Sequence, residues 1–99
     1  MPPLPLGVKR IYVPDLDYVI YDKATEELRL ASLAVFSDIH GDEQYARRLT
    51  RRSAITALCM YDRDDVSAAE RAPGTFPNID LLQRVYKDGL DLEFVLEEM

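Results

Sequence analysis

Polar and apolar positions alternate most sharply near the C-terminus. Leu90, Leu92, Phe94 and Leu96 are separated by Asp91, Glu93 and Val95. Apolar side chains two residues apart share one face of a strand, so this segment predicts a half-buried β-strand. Near the N-terminus, Lys9 to Val13 reads as a short strand ended by Pro14, which has no N–H to give a ladder. Asp17 to Tyr21 is rich in β-branched and aromatic residues and reads as a second strand. Asp22-Lys23-Ala24-Thr25 predicts a turn. Alternation around Leu28 and Leu30 then places a third strand over Glu27 to Leu33, with a continuation through Phe36 left open. These three strands predict an antiparallel meander.

The period changes after Gly41, with Asp42 placed to cap a following helix. At 100° per residue, Tyr45, Ala46, Leu49 and Ser53 fall within an arc of about 100°. Arg47, Arg48, Arg51 and Arg52 fall opposite, so the spacing predicts an amphipathic helix with an arginine stripe. Ile55 and Leu58 are out of phase with that face, which predicts a break near Ser53. Ala54 to Tyr61 reads equally as a buried strand or as a second helix. Ala72-Pro73-Gly74-Thr75-Phe76-Pro77 is a loop, and Asn78 an N-cap with Asp80 in the first turn. Ile79, Leu82, Val85 and Tyr86 form the apolar face of that helix, and Gly89 ends it. The expected fold is α+β: a mostly antiparallel sheet, made of the N-terminal three-stranded meander plus the C-terminal strand, with two or three helices packed on one face.

Composition narrows the class. Ninety-nine residues predict a single domain, 1–99. The 47% hydrophobic and 30% charged content is a globular balance. Residues 1–8 carry Pro2, Pro3 and Pro5 and read as a proline-rich extended arm. The longest uncharged stretch, Leu30 to Ser37, is far shorter than the ~20 apolar residues of a membrane span. The first residues lack the basic region and apolar core of a signal peptide. Cys59 is the only cysteine, which excludes an internal disulfide, reads as a buried structural thiol, and points to a reducing, cytoplasmic setting.

The candidate chemistry centres on Leu33-Ala34-Val35-Phe36-Ser37-Asp38-Ile39-His40-Gly41-Asp42, which holds the only histidine. At a strand end, an Asp-x-His pair can aim a carboxylate oxygen and an imidazole nitrogen at one point. Ser37-Asp38-Ile39-His40-Gly41 resembles the first ligand motif of the calcineurin-like metallophosphoesterases. That resemblance implies a metal-dependent phosphoesterase with Asp38, His40 and Asp42 as candidate metal ligands. The later motifs of that family, with their further histidines, are absent, and two metal ions need many more ligands. The plainer reading of a lone Asp-x-His motif is that Asp38 and Asp42 belong to a loop and helix cap and His40 is a solvated loop residue, and no cofactor is expected. A site shared between two copies of the chain is the intermediate case.

Charge gives the second set of candidates. The formal net charge is −6, which disfavours nucleic acid as a partner. Residues 88–99 contain Asp88, Asp91, Glu93, Glu97 and Glu98 and no base, whereas residues 47–52 contain four arginines and no acid. Arg47, Arg48, Arg51 and Arg52 are candidate anion- or partner-binding residues, since guanidinium forks hold phosphate and carboxylate. The acidic C-terminal strand is their simplest counterpart, in the same chain or in a second copy. Pro77-Asn78-Ile79-Asp80-Leu81-Leu82, after its Pro-Gly loop, resembles the tail of a small uncharacterised bacterial protein family. The resemblance covers the last third of the chain and implies no activity. No complete catalytic set emerges. The sequence therefore points to a protein of unknown function that works by protein–protein interaction, as a homodimer or as an accessory to a larger protein. The alternatives are the metal-dependent reading above and an acidic inhibitor that mimics nucleic acid with its C-terminal strand.

Overall fold

A computed structural model describes residues 8–20 and 26–98. Strand β1 (Val8–Val13) stops at Pro14, as its missing N–H requires. A short 3-10 turn over Pro14–Leu16 follows, and Asp17 takes a left-handed conformation at φ 48° before β2 (Tyr18–Ile20). The two strands pair antiparallel with Ile11 opposite Ile20 and Val13 opposite Tyr18. Ile11, Val13 and Ile20 are fully buried. The turn expected over Asp22 to Thr25 lies outside the described residues, and so does the proline-rich arm except Val8, which opens β1.

The third strand of the meander does not form. Its place is taken by helix α1 (Glu26–Gly41). Leu33, Ala34, Val35, Phe36 and Ile39 are all buried. A helix buried on most of its faces carries a continuous apolar run, and such a run has no helical period to read. Two leucines two residues apart were too short a window to tell strand from helix.

The helix expected over 45–53 does not form either. Asp42 caps only a 3-10 turn over Glu43–Tyr45, its Oδ1 accepting the Gln44 N–H at 3.2 Å. Ala46 and Arg47 then both adopt left-handed backbone, at φ 52° and 57°. The chain reverses into β3 (Arg48–Leu49), and helix α2 (Arg51–Met60) begins only after Thr50. Ser53 sets that start. Its Oγ accepts the Thr50 N–H at 2.9 Å and donates to the Arg48 carbonyl at 2.8 Å. This residue serves a helix beginning, where the periodicity had suggested a helix break.

Ala54 to Tyr61 is thereby helical up to Met60, and Cys59 is exposed, contrary to the buried thiol expected. Helix α3 (Arg63–Arg71) is capped by Asp62, whose Oδ1 accepts the Asp64 N–H at 2.9 Å. Helix α4 (Pro77–Asp88) has Phe76, not Asn78, at its N-cap, with Pro77 in the first turn, where its fixed φ suits a helix. Asn78 is instead fully buried and accepts a 2.7 Å hydrogen bond from the Tyr18 hydroxyl. Gly89, left-handed at φ 66°, ends α4 as expected. The described residues thus hold four α-helices, more than the two or three expected.

The C-terminal strand exists but is divided. β4 (Leu92–Glu93) pairs antiparallel with β3, placing Glu93 opposite Arg48. β5 (Val95–Glu98) pairs antiparallel with β1, placing Leu96 opposite Ile11 and Glu97 opposite Arg10. Phe94 sits at the changeover. The result is an α+β fold with two small antiparallel sheets, one ordered β2-β1-β5 and one β3-β4. Phe94 anchors the core, its ring meeting the Phe36 ring edge-on at 6.3 Å. Tyr61 ties the α2–α3 junction to α1 by donating its hydroxyl to Ser32 Oγ at 2.9 Å. The described residues contain no helix long and apolar enough to cross a membrane.

Candidate functional site

The proposed metal ligands fall on α1 and the turn after it. Residues two apart on a helix point about 200° apart, so the helix directs Asp38 and His40 away from each other. The strand end that would bring such a pair to one point is absent. Asp38 is exposed. Both carboxylate oxygens of Asp42 are engaged by Gln44, one by its N–H and the other by its Nε2 at 3.0 Å. No group of three or more His, Cys, Asp or Glu side chains among the described residues is placed to hold a metal ion.

His40 has a different role. Its ring stands edge-on to the Phe94 ring, with centroids 4.9 Å apart. It therefore holds the residue at which the C-terminal chain leaves β3 for β1. Partial burial lowers its pKa, and the nearby Arg47 charge lowers it further, against the smaller upward effect of the Phe94 backbone. A neutral imidazole at the changeover is favoured.

The four arginines are split between two concavities. Arg47 lines a notch of about 540 Å³ with His40, Glu93, Phe94, Val95 and Leu96. Arg48, Arg51 and Arg52 line a separate hollow of about 390 Å³ with Tyr45 and Thr50. No single stripe exists, because the reversal at Ala46 and Arg47 interrupts the helix that would have carried it. Arg48 pairs with Asp91 in the same chain, Nε to Oδ1 at 2.7 Å. Arg51 crosses from α2 to the end of α4, its Nε donating to the Tyr86 carbonyl at 2.9 Å and its Nη2 to the Lys87 carbonyl at 3.4 Å. A cation on the last carbonyls of a helix meets the negative end of its dipole. Arg52 lies over the Tyr45 ring at 5.8 Å and donates to Gln44 Oε1 at 3.3 Å.

Gly89 completes this arrangement beyond its part in ending α4. A Cβ at Gly89 would stand 3.1 Å from the Arg51 guanidinium carbon. The glycine therefore serves both the left-handed turn and the close approach of Arg51. The acidic C-terminal segment is partly used within the chain, since Asp91 pairs with Arg48 and Glu97 with Arg10. Among the described residues, Val95, at 39% exposure, and Ile55 and Tyr86 are the large apolar residues left most open to solvent.

A family model described as an uncharacterized protein conserved in bacteria matches residues 8–96. The likeness seen in Pro77 to Leu82 thus extends over nearly the whole chain and is not limited to its last third. No curated protein and no solved structure matches the chain.

Proposed function

Since the chain belongs to this family of uncharacterised proteins conserved in bacteria, whose description assigns no activity, we propose from geometry that it acts by protein–protein interaction, as a homodimer. The observation that carries this reading is the edge of the three-stranded sheet. In the order β2-β1-β5, only β1 has a strand on both sides among the described residues. Among the described residues, no strand pairs with the side of β5 away from β1. Such an edge is a template for adding another strand.

The edge of β5 is also apolar where it needs to be. Val95 is among the most exposed large apolar side chains of the described residues, and the notch at Val95 and Leu96 leaves space beside the strand. Arg47 lines the same notch and makes no ion pair among the described residues. Two β5 edges paired about a two-fold axis would carry the acidic strand of one copy past Arg47 of the other. Opposite charges across an interface favour that register over others.

Native mass spectrometry and sedimentation over a wide concentration range test this reading. A dimer that dissociates on Val95→Lys, with the helical circular dichroism unchanged, is the expected result, because an edge lysine blocks strand addition. A monomeric mass at every concentration would overturn it.

A further inference from the structure

We propose that the hollow lined by Tyr45, Arg48, Thr50, Arg51 and Arg52 binds a small phosphate-bearing molecule. Arg48, Arg51 and Arg52, with Gln44, Tyr45, Ala46 and Thr50, line a space of about 390 Å³, and no acidic residue is among the lining residues. In a chain of net charge −6, this concentration of positive charge needs a reason. Internal pairing supplies only part of one. Asp91 pairs with Arg48, and the nearby Asp15 and Glu93 charges favour that guanidinium further.

The arginines are held, yet not used up. Arg48 is fixed through Nε and Nη2 on Asp91, Arg51 through Nε and Nη2 on the carbonyls of Tyr86 and Lys87, and Arg52 through Nη2 on Gln44. In each case the Nη1 amino group has no hydrogen-bond partner among the described residues. Groups already oriented lose little freedom on binding, which favours affinity. The Tyr45 ring beneath Arg52 is itself fixed by a 2.6 Å hydrogen bond between its hydroxyl and Thr56 Oγ1.

The donor types in the lining point to the class of ligand. A single carboxylate satisfies one guanidinium fork, whereas a phosphate group presents three oxygens to several donors at once. The volume lies within the range of about 300–1,000 Å³ typical of small-molecule sites. A long polyanion would meet the repulsion of the whole acidic surface, which a small dianion in the hollow largely escapes. The inference stands apart from self-association, because none of the β5 residues lines this hollow.

Inorganic pyrophosphate is the probe, titrated calorimetrically into the full chain at constant ionic strength maintained with sodium chloride. Arg52→Gln is the informative variant, since the Arg52 side chain meets the nearby Gln44 and Tyr45 and spans no pair of distant elements, and an unchanged circular dichroism spectrum checks that the fold is kept. Arg63→Gln, at the exposed start of α3, is the control for general charge. Saturable binding that Arg52→Gln weakens about tenfold or more, and Arg63→Gln leaves unchanged, is the expected result. No binding by the wild-type chain at millimolar pyrophosphate would overturn the proposal. Equal weakening by both variants would do the same, because it would reduce the effect to bulk charge.

Discussion

Helix α4 and the segment from Asp42 to Ser53 both present apolar residues at helical spacing, yet only α4 is a helix over the range that spacing suggested. In α4 the punctuation agrees with the period. Pro77 occupies the first turn, Gly89 the left-handed exit, and Ile79, Leu82 and Val85 are buried. In Asp42 to Ser53 the punctuation contradicts it. Asp42 caps one 3-10 turn, and the Thr50–Ser53 hydrogen bond starts a helix close to where the expected one was to end. Leu49, fully buried, reaches the core as a strand residue opposite Leu92. Over nine residues, capping hydrogen bonds and strand pairing outweigh a repeat that spans barely two turns.

The largest expected effect comes from breaking the signal that decided the second region. Ser53→Ala leaves the Thr50 N–H and the Arg48 carbonyl without their buried partner, and should destabilise the protein by about 1–3 kcal/mol in urea unfolding. An unchanged midpoint would mean that β3 pairing alone, without the cap, holds the chain in place.

A reciprocal pair of substitutions sharpens the contrast between the two turns. Gly89 and Ala46 both adopt left-handed backbone, one with the residue suited to it and one without. Gly89→Ala should cost about 1 kcal/mol, chiefly from its positive φ, because the Arg51 guanidinium 3.1 Å from the new Cβ is a flexible end that can move. Ala46→Gly should stabilise by about 0.5–1 kcal/mol, since the strain it relieves exceeds the entropy glycine adds to the unfolded chain. Thermal unfolding of both variants measures the difference, and the same sign in both would refute the account of the turns.

The smallest expected effect concerns His40, which joins the end of α1 to Phe94. Burial and Arg47 hold its pKa below the ordinary value, so the unfolded chain binds the proton more readily than the folded one. The stability tied to neutral His40 is fully present above about pH 6.5 and is lost as pH falls toward the lowered folded pKa. The stability advantage of wild type over His40→Gln should therefore shrink on acidification from pH 7.5 to pH 5. An advantage that grows over that interval would reverse the assigned direction of the shift.

What could be read in advance shared one trait: a chemical restriction acting within a few residues. Pro14 ends β1 because proline lacks an N–H, and Gly89 ends α4 because glycine accepts positive φ. Ile11 and Val13, two apart, bury one face of β1. The candidate site was legible in its residue types and not in its arrangement. Four arginines within six residues were evident, but their division between notch and hollow depends on two left-handed residues, Ala46 and Arg47, that are not glycine. The Asp38-Ile39-His40 reading required a strand, and the apolar run before it suited a buried helix equally well.

Sequence by itself determined the α+β class, the antiparallel β1–β2 pair, the loop before α4 and the exit at Gly89, because each rests on local stereochemistry or a clear period. Tertiary structure alone decided that the run leading to Phe36 is helical, that Phe94 is where the last strand changes partner, and that Arg48, Arg51 and Arg52 line one hollow. Those outcomes depend on contacts between residues far apart in the chain, such as Phe36 with Phe94, Arg48 with Asp91 and Arg51 with the end of α4. No local pattern encodes a contact whose energy arises only when distant segments meet.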